Sequence, residues 1–260
     1  MNWWNGHMPL DGYFDREKKE ARCGGGGKPP LSASIRMRQR SGLFPVISEI
    51  KVQSDKEGDL LRGRDPVALA QEMSQRPVAG ISVVTEPGHF GGHMGLLKEV
   101  AAAVGVPVLH KDFITTERQV QESADCGASA ILLITAMLDL RQMARLIEAA
   151  RDWGLETLVE GHDAAEIRKI EHLPFDLRGI NNRDITVFEV DDSDVSRTEE
   201  LAGFCRGSRI LISESSIRSA ADVRRAGRSG ADAVLVGTAV LKAENVGSFL
   251  DELVAVGWPV

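Results

Sequence analysis

The chain has little cysteine, and Cys23, Cys126 and Cys205 lie far apart. This spacing argues against a disulfide framework and against a zinc site, whose ligands usually come in close pairs. Long apolar runs are lacking too, since no stretch approaches the ~18 residues that suggest a membrane span. The N-terminus has no basic segment followed by an apolar core, so no secretory signal is predicted. These absences predict a cytoplasmic globular protein.

An excess of positive charge is missing as well. The 260 residues include 31 Lys and Arg against 38 Asp and Glu, which gives a net charge of −7. A nucleic-acid surface is therefore not expected, although a local basic pocket for a small anion is compatible with this balance. The 43% share of hydrophobic residues is enough to bury the core of one large α/β domain.

Residues 1–45 differ from the rest and are predicted to form an N-terminal extension. A Gly/Pro-rich linker, Gly24 to Pro30, cannot hold a helix or a strand, because glycine carries too much backbone entropy and proline lacks a donor. It separates a short charged helix, Asp15 to Arg22, from a second predicted helix, Ser32 to Arg40. The arginines of the second helix are expected on a solvated face. Residues 46–260 are assigned to the catalytic domain.

From residue 46 onward, eight short apolar or β-branched runs alternate with amphipathic stretches of helical period. The runs are 46–50, 80–84, 106–109, 130–134, 156–160, 177–180, 209–213 and 233–236. Near-continuous apolar strands are expected where helices cover both faces of a parallel sheet. Eight βα units predict a single-domain α/β fold, the (β/α)8 or TIM barrel. A Rossmann-type sheet is the rival, but no Gly-x-Gly-x-x-Gly follows any run.

Polar side chains stand where these runs end, the place where barrel enzymes carry their catalytic groups. The strand ends contribute Glu49, Lys51, Lys111, Glu160 and Glu214. Convergence of these charges in one mouth indicates general acid–base chemistry rather than ion pairs that merely close the barrel. Gly237 and Thr238, after the eighth run, predict a phosphate site. The segment 87–93, with two histidines and three glycines, is expected to be a loop rather than a metal site.

These strand-end motifs, in this order, resemble the indole-3-glycerol phosphate synthase family of the tryptophan pathway. The matching blocks are Ile47–Lys51, Ile81–Glu86, Phe90–Gly92, Pro107–Ile114, Leu158–Asp163, Gly179–Asp184, Ser213–Ser215 and Val236–Gly237. The likeness covers about residues 45–245, and the Lys-Asp-Phe-Ile and Gly-Ile-Asn-Asn-Arg-Asp blocks are its most specific parts. In this family a helix in the N-terminal segment helps to cap the site.

The resemblance implies 1-(2-carboxyphenylamino)-1-deoxyribulose 5-phosphate as the substrate. The enzyme would close its pyrrole ring with loss of carbon dioxide and water, without a cofactor or a metal. Lys111 and Lys51 would be the acids, and Glu160 the principal general base. The groups that orient the lysines and the sugar hydroxyls would be Glu49, Asn181 and Glu214. The implied substrate contacts are Ser54, Lys56, Phe113, Arg183 and Ser215, and the implied phosphate contacts are Ser216, Gly237 and Thr238.

Two departures from the family pattern concern the phosphate. The family has Ser-Pro-Ser-Lys-Gly after its first lysine, whereas this chain has Ser-Asp-Lys-Glu-Gly at residues 54–58. Asp55 and Glu57 are expected to repel a dianion unless Lys56 takes over its binding. Ser216 stands where the family has glycine, and its side chain either crowds the phosphate or supplies an extra donor.

Three functions stay open at this point. The first is the synthase reaction of the family. The second is the same ring closure on a different arylamine–sugar adduct in specialised metabolism, which the altered residues 55, 56 and 216 motivate. The third is a non-catalytic barrel, disfavoured because every acid and base is retained. A small phosphorylated molecule is the expected partner, with neither nucleic acid nor membrane, and association with other enzymes of the tryptophan pathway stays open.

Overall fold

The computed structural model describes residues 27–183, 194–205, 207 and 209–260. Its strands are β1 (Val46–Ile50), β2 (Gln53–Ser54), β3 (Gly58–Asp59), β4 (Gly80–Val84), β5 (Val108–Lys111), β6 (Ala130–Ile134), β7 (Glu156–Gly161), β8 (Leu177–Asn181), β9 (Ile210–Glu214) and β10 (Ala233–Val236). Strands β2 and β3 form a small antiparallel hairpin, and the other eight close a parallel barrel. The predicted (β/α)8 barrel is confirmed.

Helices alternate with the barrel strands. They are α1 (Leu31–Arg40), α2 (Pro66–Ser74), α3 (Pro87–Phe90), α4 (Met94–Ala103), α5 (Glu117–Asp125), α6 (Leu140–Asp152), α7 (Ala164–Ile170), α8 (Ser196–Leu201), α9 (Ala220–Arg228), α10 (Thr238–Lys242) and α11 (Val246–Val254). Side-chain caps fix the starts of most of them, as in the capping box of Thr116 and Gln119 before α5, whereas α1, α8 and α10 have none. Within the part of the chain that the structure describes, no helix has the length and apolar character to cross a membrane.

The first strand closes the barrel by pairing on both sides. Ser48 of β1 aligns with Val236 of β10 and with Ile81 of β4. Strands such as β1 and β8 are buried at every position, because alternate side chains fill the barrel interior and the space under the helices. The carboxyl ends of all eight parallel strands therefore open at one end of the barrel, here called the mouth.

Helix α1 covers the opposite end of the barrel. Leu31 and Ile35 are fully buried in the interior cluster that includes Ile47 and Leu109. The backbone N–H of Ser32 donates to Glu156 at the start of β7 over 2.9 Å. The short charged helix predicted at residues 15–22 and residues 24–26 of the Gly/Pro linker lie outside the described residues. The domain boundary at residue 45 stays a prediction.

The arginines of α1 are not all on a solvated face, contrary to the sequence expectation. Arg36 forms a 2.8 Å ion pair with Asp232, and Arg38 donates to the carbonyl of Val78 over 3.1 Å. Arg40 is the exposed one of the three. The helix pattern could not show this, because both partners are distant in sequence.

Strand β5 starts two residues later than the sequence run suggested. Pro107 accepts a hydrogen bond from the Ile81 N–H but has no N–H to donate, so the ladder begins at Val108. The strand then extends to Lys111. This later end matters for function, because it makes Lys111 the last residue of a barrel strand at the mouth.

Candidate active site

One cavity of about 830 Å³ opens at the mouth of the barrel, and the predicted site residues surround it. Its lining includes Glu49, Lys51, Lys56, Lys111, Phe113, Glu160, Asn181, Arg183, Ser215, Ser216, Gly237 and Thr238. Ser54 lies buried in the hairpin next to it, and Glu214 is fully buried at the end of β9. The structure therefore brings the predicted acid, base and phosphate-binding residues to one place.

Lys111 is the cation at the centre of this site. Its Nζ lies 3.6 Å from Glu49 Oε2, and its side chain is 19% exposed. Burial by itself would lower the pKa of this ammonium, but the carboxylates of Glu49, Glu214 and Glu160 outweigh burial and raise the pKa above its ordinary value. Lys111 is therefore a protonated donor that points toward the cavity at neutral pH.

Glu160 and Glu214 are two buried carboxyl groups with opposite protonation tendencies. Burial and the nearby Glu160 raise the pKa of Glu214 well above its ordinary value. Burial also acts on Glu160, but His162, Lys111 and Asn181 outweigh it and lower the pKa of Glu160. When the surroundings move the pKa values of two carboxyl groups in opposite directions, one group can serve as an acid and the other as a base. Glu160 is thus the candidate for an ionised base, and Glu214 is the carboxyl group whose protonated form is favoured by its surroundings.

Glu160 Oε1 lies 3.1 Å from His162 Nε2, but within the described part of the chain neither this ion pair nor any other contact of the Glu160 and Glu214 oxygens has the angles of a good hydrogen bond. Buried polar atoms of that kind are uncommon in folded proteins and call for an explanation. Because Glu160 also lines the cavity, a polar ligand there would supply its missing hydrogen-bond partners. The lack of well-oriented partners for these oxygens favours a ligand-binding role for Glu160 over membership of a purely structural ion-pair cluster.

Lys51 and the aromatic residues form the other side of the cavity. Lys51 is only 5% exposed, and its Nζ lies 5.5 Å from the centre of the Phe90 ring, within the range of a cation–π interaction. An apolar wall continues with Phe113, Leu132, Ile134 and Met137. The lining thus combines apolar and charged side chains, which suits a ligand that has both an aromatic ring and charged groups.

The hairpin β2–β3 carries the residues that depart from the family motif. Asp55 Oδ2 lies 2.9 Å from His89 Nδ1, and Glu57 Oε2 lies 2.7 Å from Lys242 Nζ. The contact with Lys242 lowers the pKa of Glu57. The ammonium group of Lys242 thus offsets the charge of Glu57, so the repulsion of a dianion expected from this residue is reduced. The two contacts join the hairpin to two different sides of the mouth.

The segment 87–93 contains a helical turn rather than only a loop. Glu86 accepts hydrogen bonds from the N–H groups of Gly88, His89 and Phe90 and so caps α3. His93 caps α4 by accepting from the Leu96 N–H over 3.0 Å. Of the two histidines of the segment, His89 thus contacts Asp55, and His93 caps a helix.

Two consecutive serines after β9 have left-handed backbones. Ser215 has a φ of 65° and Ser216 a φ of 60°, a region that residues with a Cβ seldom occupy. The amide of Asn182 supports this turn by donating to the carbonyls of Glu214 and Ser215 over 2.9 and 3.2 Å. The glycine that the family has at position 216 suits this conformation better than serine does.

A pair of substitutions at residue 216 tests this conformation. We expect Ser216→Gly to be more stable than Ser216→Ala by about 1 kcal/mol, because alanine keeps the Cβ that disfavours a positive φ. Urea unfolding of both variants under the same conditions measures the difference. A glycine variant less stable than the alanine variant would contradict the left-handed conformation.

Some residues that shape the site were not assigned a role from the sequence. Asn182 is 1% exposed, and its Oδ1 accepts from both the backbone N–H and the hydroxyl of Thr198, over 2.9 Å each. Next to Lys111, Asp112 accepts from the Thr85 hydroxyl, and Thr85 Oγ1 also lies 2.7 Å from His110 Nε2. Both networks join residues that are distant in sequence. The motifs contain Asn182 and Asp112, but spacing alone does not reveal what they bind.

The barrel and the charged cavity at its mouth have the arrangement of a barrel enzyme, with the ammonium group of Lys111 near the buried carboxylate of Glu160. The profile of the family described as Indole-3-glycerol phosphate synthase matches residues 26–253. The chain belongs to the indole-3-glycerol phosphate synthase family.

Individual relatives agree with this assignment. The chain is 42% identical over 224 residues to an indole-3-glycerol phosphate synthase of Pyrococcus furiosus, covering 86% of this chain and 96% of that one. It is 38% identical over 228 residues to one from Streptococcus pneumoniae, with coverage of 86% and 88%. Among solved structures, 3-hexulose-6-phosphate synthase from Salmonella typhimurium aligns with a TM-score of 0.65 over 82% of this chain and 97% of that chain. At 16% identity, that last likeness shows the fold alone.

Proposed function

We propose that this chain converts 1-(2-carboxyphenylamino)-1-deoxyribulose 5-phosphate into indole-3-glycerol phosphate, carbon dioxide and water. The observation that carries the proposal is the placement of Lys111 and Glu160 in one cavity that also has an apolar wall. The protonated lysine suits an oxygen that gains negative charge, and the ionised glutamate suits a proton that must leave. Family membership supports the same reaction.

Ring closure forms a carbon–carbon bond between the ring carbon that bears the carboxylate and the carbonyl carbon of the sugar chain. The carbonyl oxygen takes a proton from Lys111 as its negative charge develops. The bond to the carboxylate then breaks, and carbon dioxide leaves while its electron pair restores the aromatic ring. Because the Lys111 pKa is raised, much of its effect is stabilisation of the developing oxyanion.

Dehydration completes the indole. The hydroxyl group formed in the first step leaves as water after protonation by Lys51, and Glu160 removes the proton whose loss creates the new double bond. Glu49 holds Lys111 through their 3.6 Å contact. Asn181 and Glu214 complete the polar wall that orients the lysines and the sugar hydroxyls.

We place the phosphate at the part of the cavity formed by Ser216, Gly237 and Thr238. The lack of a side chain at Gly237 leaves room for Glu49, since a Cβ at this position would lie 2.5 Å from Glu49 Oε1. The remaining substrate contacts proposed are Ser54, Lys56, Phe113, Arg183 and Ser215. The proposed partner is this small phosphorylated substrate in the cytoplasm, with no nucleic acid or membrane, and no metal or organic cofactor takes part.

The direct test incubates purified protein with the proposed substrate and follows the fluorescence of the indole product. We expect turnover that scales with protein concentration. A ring-substituted series of the same adduct is assayed in parallel, because the unusual Ser216 and the ion-paired hairpin favour a changed substrate as the second candidate. No product from the unsubstituted adduct at high protein concentration would refute the first proposal.

A matched pair of glycine variants tests the placement of Glu214. A methyl group at Gly179 would overlap Glu214 Oε1, whereas a methyl group at Gly105 meets no atom within 4 Å. The carboxyl group can swing away at little cost in folding, but it then loses its position beside Glu160. We expect Gly179→Ala to lower kcat/KM roughly 10- to 100-fold, with unfolding near wild type. Gly105→Ala should keep the wild-type rate, and equal kinetics for the two variants would contradict this account.

A further inference from the structure

His162 lies between two carboxylates at the end of β7. Its Nε2 is 3.1 Å from Glu160 Oε1, and its Nδ1 is 3.2 Å from Glu166 Oε2. The His162 side chain is 10% exposed, that of Glu160 is 1% exposed, and that of Glu166 is 20% exposed. The three side chains therefore form a row that runs from the buried base toward solvent.

The local sequence explains this row. Glu160 is the penultimate residue of β7, and His162 directly follows the strand, so the two side chains are close enough for their 3.1 Å contact. Asp163 caps α7 by accepting from the N–H groups of Ala165 and Glu166. This cap places Glu166 in the first turn, where its Oε2 also accepts the backbone N–H of His162 over 2.8 Å. Glu166 is thus fixed by both the backbone and the ring of His162.

The geometry favours the charged form of the ring. A neutral imidazole has one N–H and one acceptor nitrogen, whereas the imidazolium has two N–H groups. Both nitrogens of His162 lie against carboxylate oxygens, so only the imidazolium suits both neighbours. Burial alone would lower the pKa of His162, but Glu160 and Glu166 outweigh it and raise the pKa to about 9.

The positive charge of His162 is important for Glu160, because Lys111, the other cation nearby, also interacts with further carboxyl groups. Lys111 interacts with Glu49 and Glu214 as well as with Glu160. The groups that act on Glu160 are His162, Lys111, the Asn181 amide and the carboxyl of Glu214. Glu166 is close to His162 but on its far side. His162 is therefore placed to offset the negative charge on Glu160 through a direct contact.

We propose that His162 and Glu166 are a positioning pair, in which Glu166 holds His162 as an imidazolium and His162 holds Glu160 ionised and oriented as the base. This proposal rests on the proposed function. Neither residue exchanges a proton with the substrate in this account. The pair acts through Glu160, so its removal changes the pH range in which Glu160 works rather than the chemistry itself.

The test compares the pH dependence of kcat/KM in wild type and His162→Gln. Glutamine keeps an N–H donor near Glu160 but carries no charge. Loss of an adjacent opposite charge raises the pKa of a carboxyl group, so we expect the acid limb to move up by about one pH unit. At pH values below the acid limb, we therefore expect the kcat/KM of His162→Gln to be roughly 10-fold lower than that of wild type. On the plateau at higher pH, we expect the two values to differ little. A uniform loss at every pH would indicate a merely structural role and would overturn the proposal.

A second variant, Glu166→Gln, tests the same pair of residues if His162→Gln does not fold. Glu166→Gln lies away from the substrate cavity and keeps an oxygen that accepts hydrogen bonds, so we expect a smaller shift in the same direction. His172→Gln, which changes an exposed histidine, is the matched control and should leave the profile unchanged. Identical profiles for Glu166→Gln and wild type would contradict the role of Glu166.

A measurement independent of activity separates this proposal from the proposed function. NMR titration of the imidazole signals, with His162→Gln to assign the resonance, should show His162 still protonated at pH 8 in wild type. In Glu166→Gln the resonance should titrate at lower pH. A His162 that titrates near its ordinary pKa in wild type would overturn the proposal even if ring closure is observed. Absence of ring closure with a high His162 pKa would instead refute the proposed substrate.

Discussion

Replacing Lys111 with methionine is expected to lower kcat by about 10²–10⁴-fold, the usual contribution of one well-placed acid or base. Methionine approximates the length of the lysine chain but removes the ammonium group. The carbonyl oxygen of the substrate would then lose its donor as its charge develops. The carboxylates of Glu49, Glu160 and Glu214 would also lose the cation that they share. Stopped-flow or steady-state indole fluorescence at saturating substrate measures the loss.

Lys98→Met is the matched control for this substitution. Lys98 is an exposed residue of α4, so the same chemical change there should leave kcat close to wild type. Circular dichroism of both variants checks that the barrel is intact. A folded Lys111→Met variant that keeps more than about a tenth of the wild-type kcat would contradict the role of Lys111 as the principal donor.

The second large effect is expected for Glu160→Gln. The amide has nearly the same shape as the carboxylate but cannot accept a proton at neutral pH, so we expect kcat to fall by about 10²–10⁴-fold. The pKa of His162 should fall as well, because one of its two anionic neighbours is removed. The imidazole titration in this variant therefore reports on the contact independently of the rate.

Glu156→Gln on the same strand is the control for Glu160→Gln. Glu156 lies at the opposite end of β7, where it accepts the backbone N–H of Ser32 over 2.9 Å. We expect this variant to keep the wild-type kcat and to lose stability instead, because the contact with α1 is weakened. Comparable losses of kcat in the two variants would show that the effect does not depend on the mouth of the barrel.

The barrel could be predicted because its signal is local and repeated. Each strand is a short apolar run, and each helix has an amphipathic period, so every βα unit is visible by itself. The bounds of β5 were harder to predict. The apolar run in the sequence covers residues 106–109, whereas the strand extends from Val108 to Lys111. Pro107 explains this difference, because a residue without an N–H does not donate to the ladder.

The site could be predicted in part, because parallel strands end at one mouth. Charged residues at strand ends, such as Lys111 and Glu160, must therefore meet whatever their separation in sequence. The contacts of the hairpin were not predictable in this way. Glu57 meets Lys242 and Asp55 meets His89 only after folding, and no spacing rule connects residues so far apart.

The contacts of His162 were likewise not predictable from the sequence. The block Leu158–Asp163 contains both Glu160 and His162, yet the sequence does not tell whether the ring contacts the base or faces solvent. The cap by Asp163 and the return of Glu166 to His162 decide that question. Ser216 is a further case, since the exchange of glycine for serine is visible in the sequence but its positive φ is not.

In the proposed reaction, one cavity couples ring closure to loss of the carboxylate. The most direct measurement uses the proposed substrate with a ¹³C label in its carboxyl group and counts labelled carbon dioxide and indole product together. We expect one labelled carbon dioxide for each indole formed by the wild-type protein, and a parallel loss of both products in Lys111→Met. Carbon dioxide released without indole, or no release of either by the wild-type protein, would contradict it.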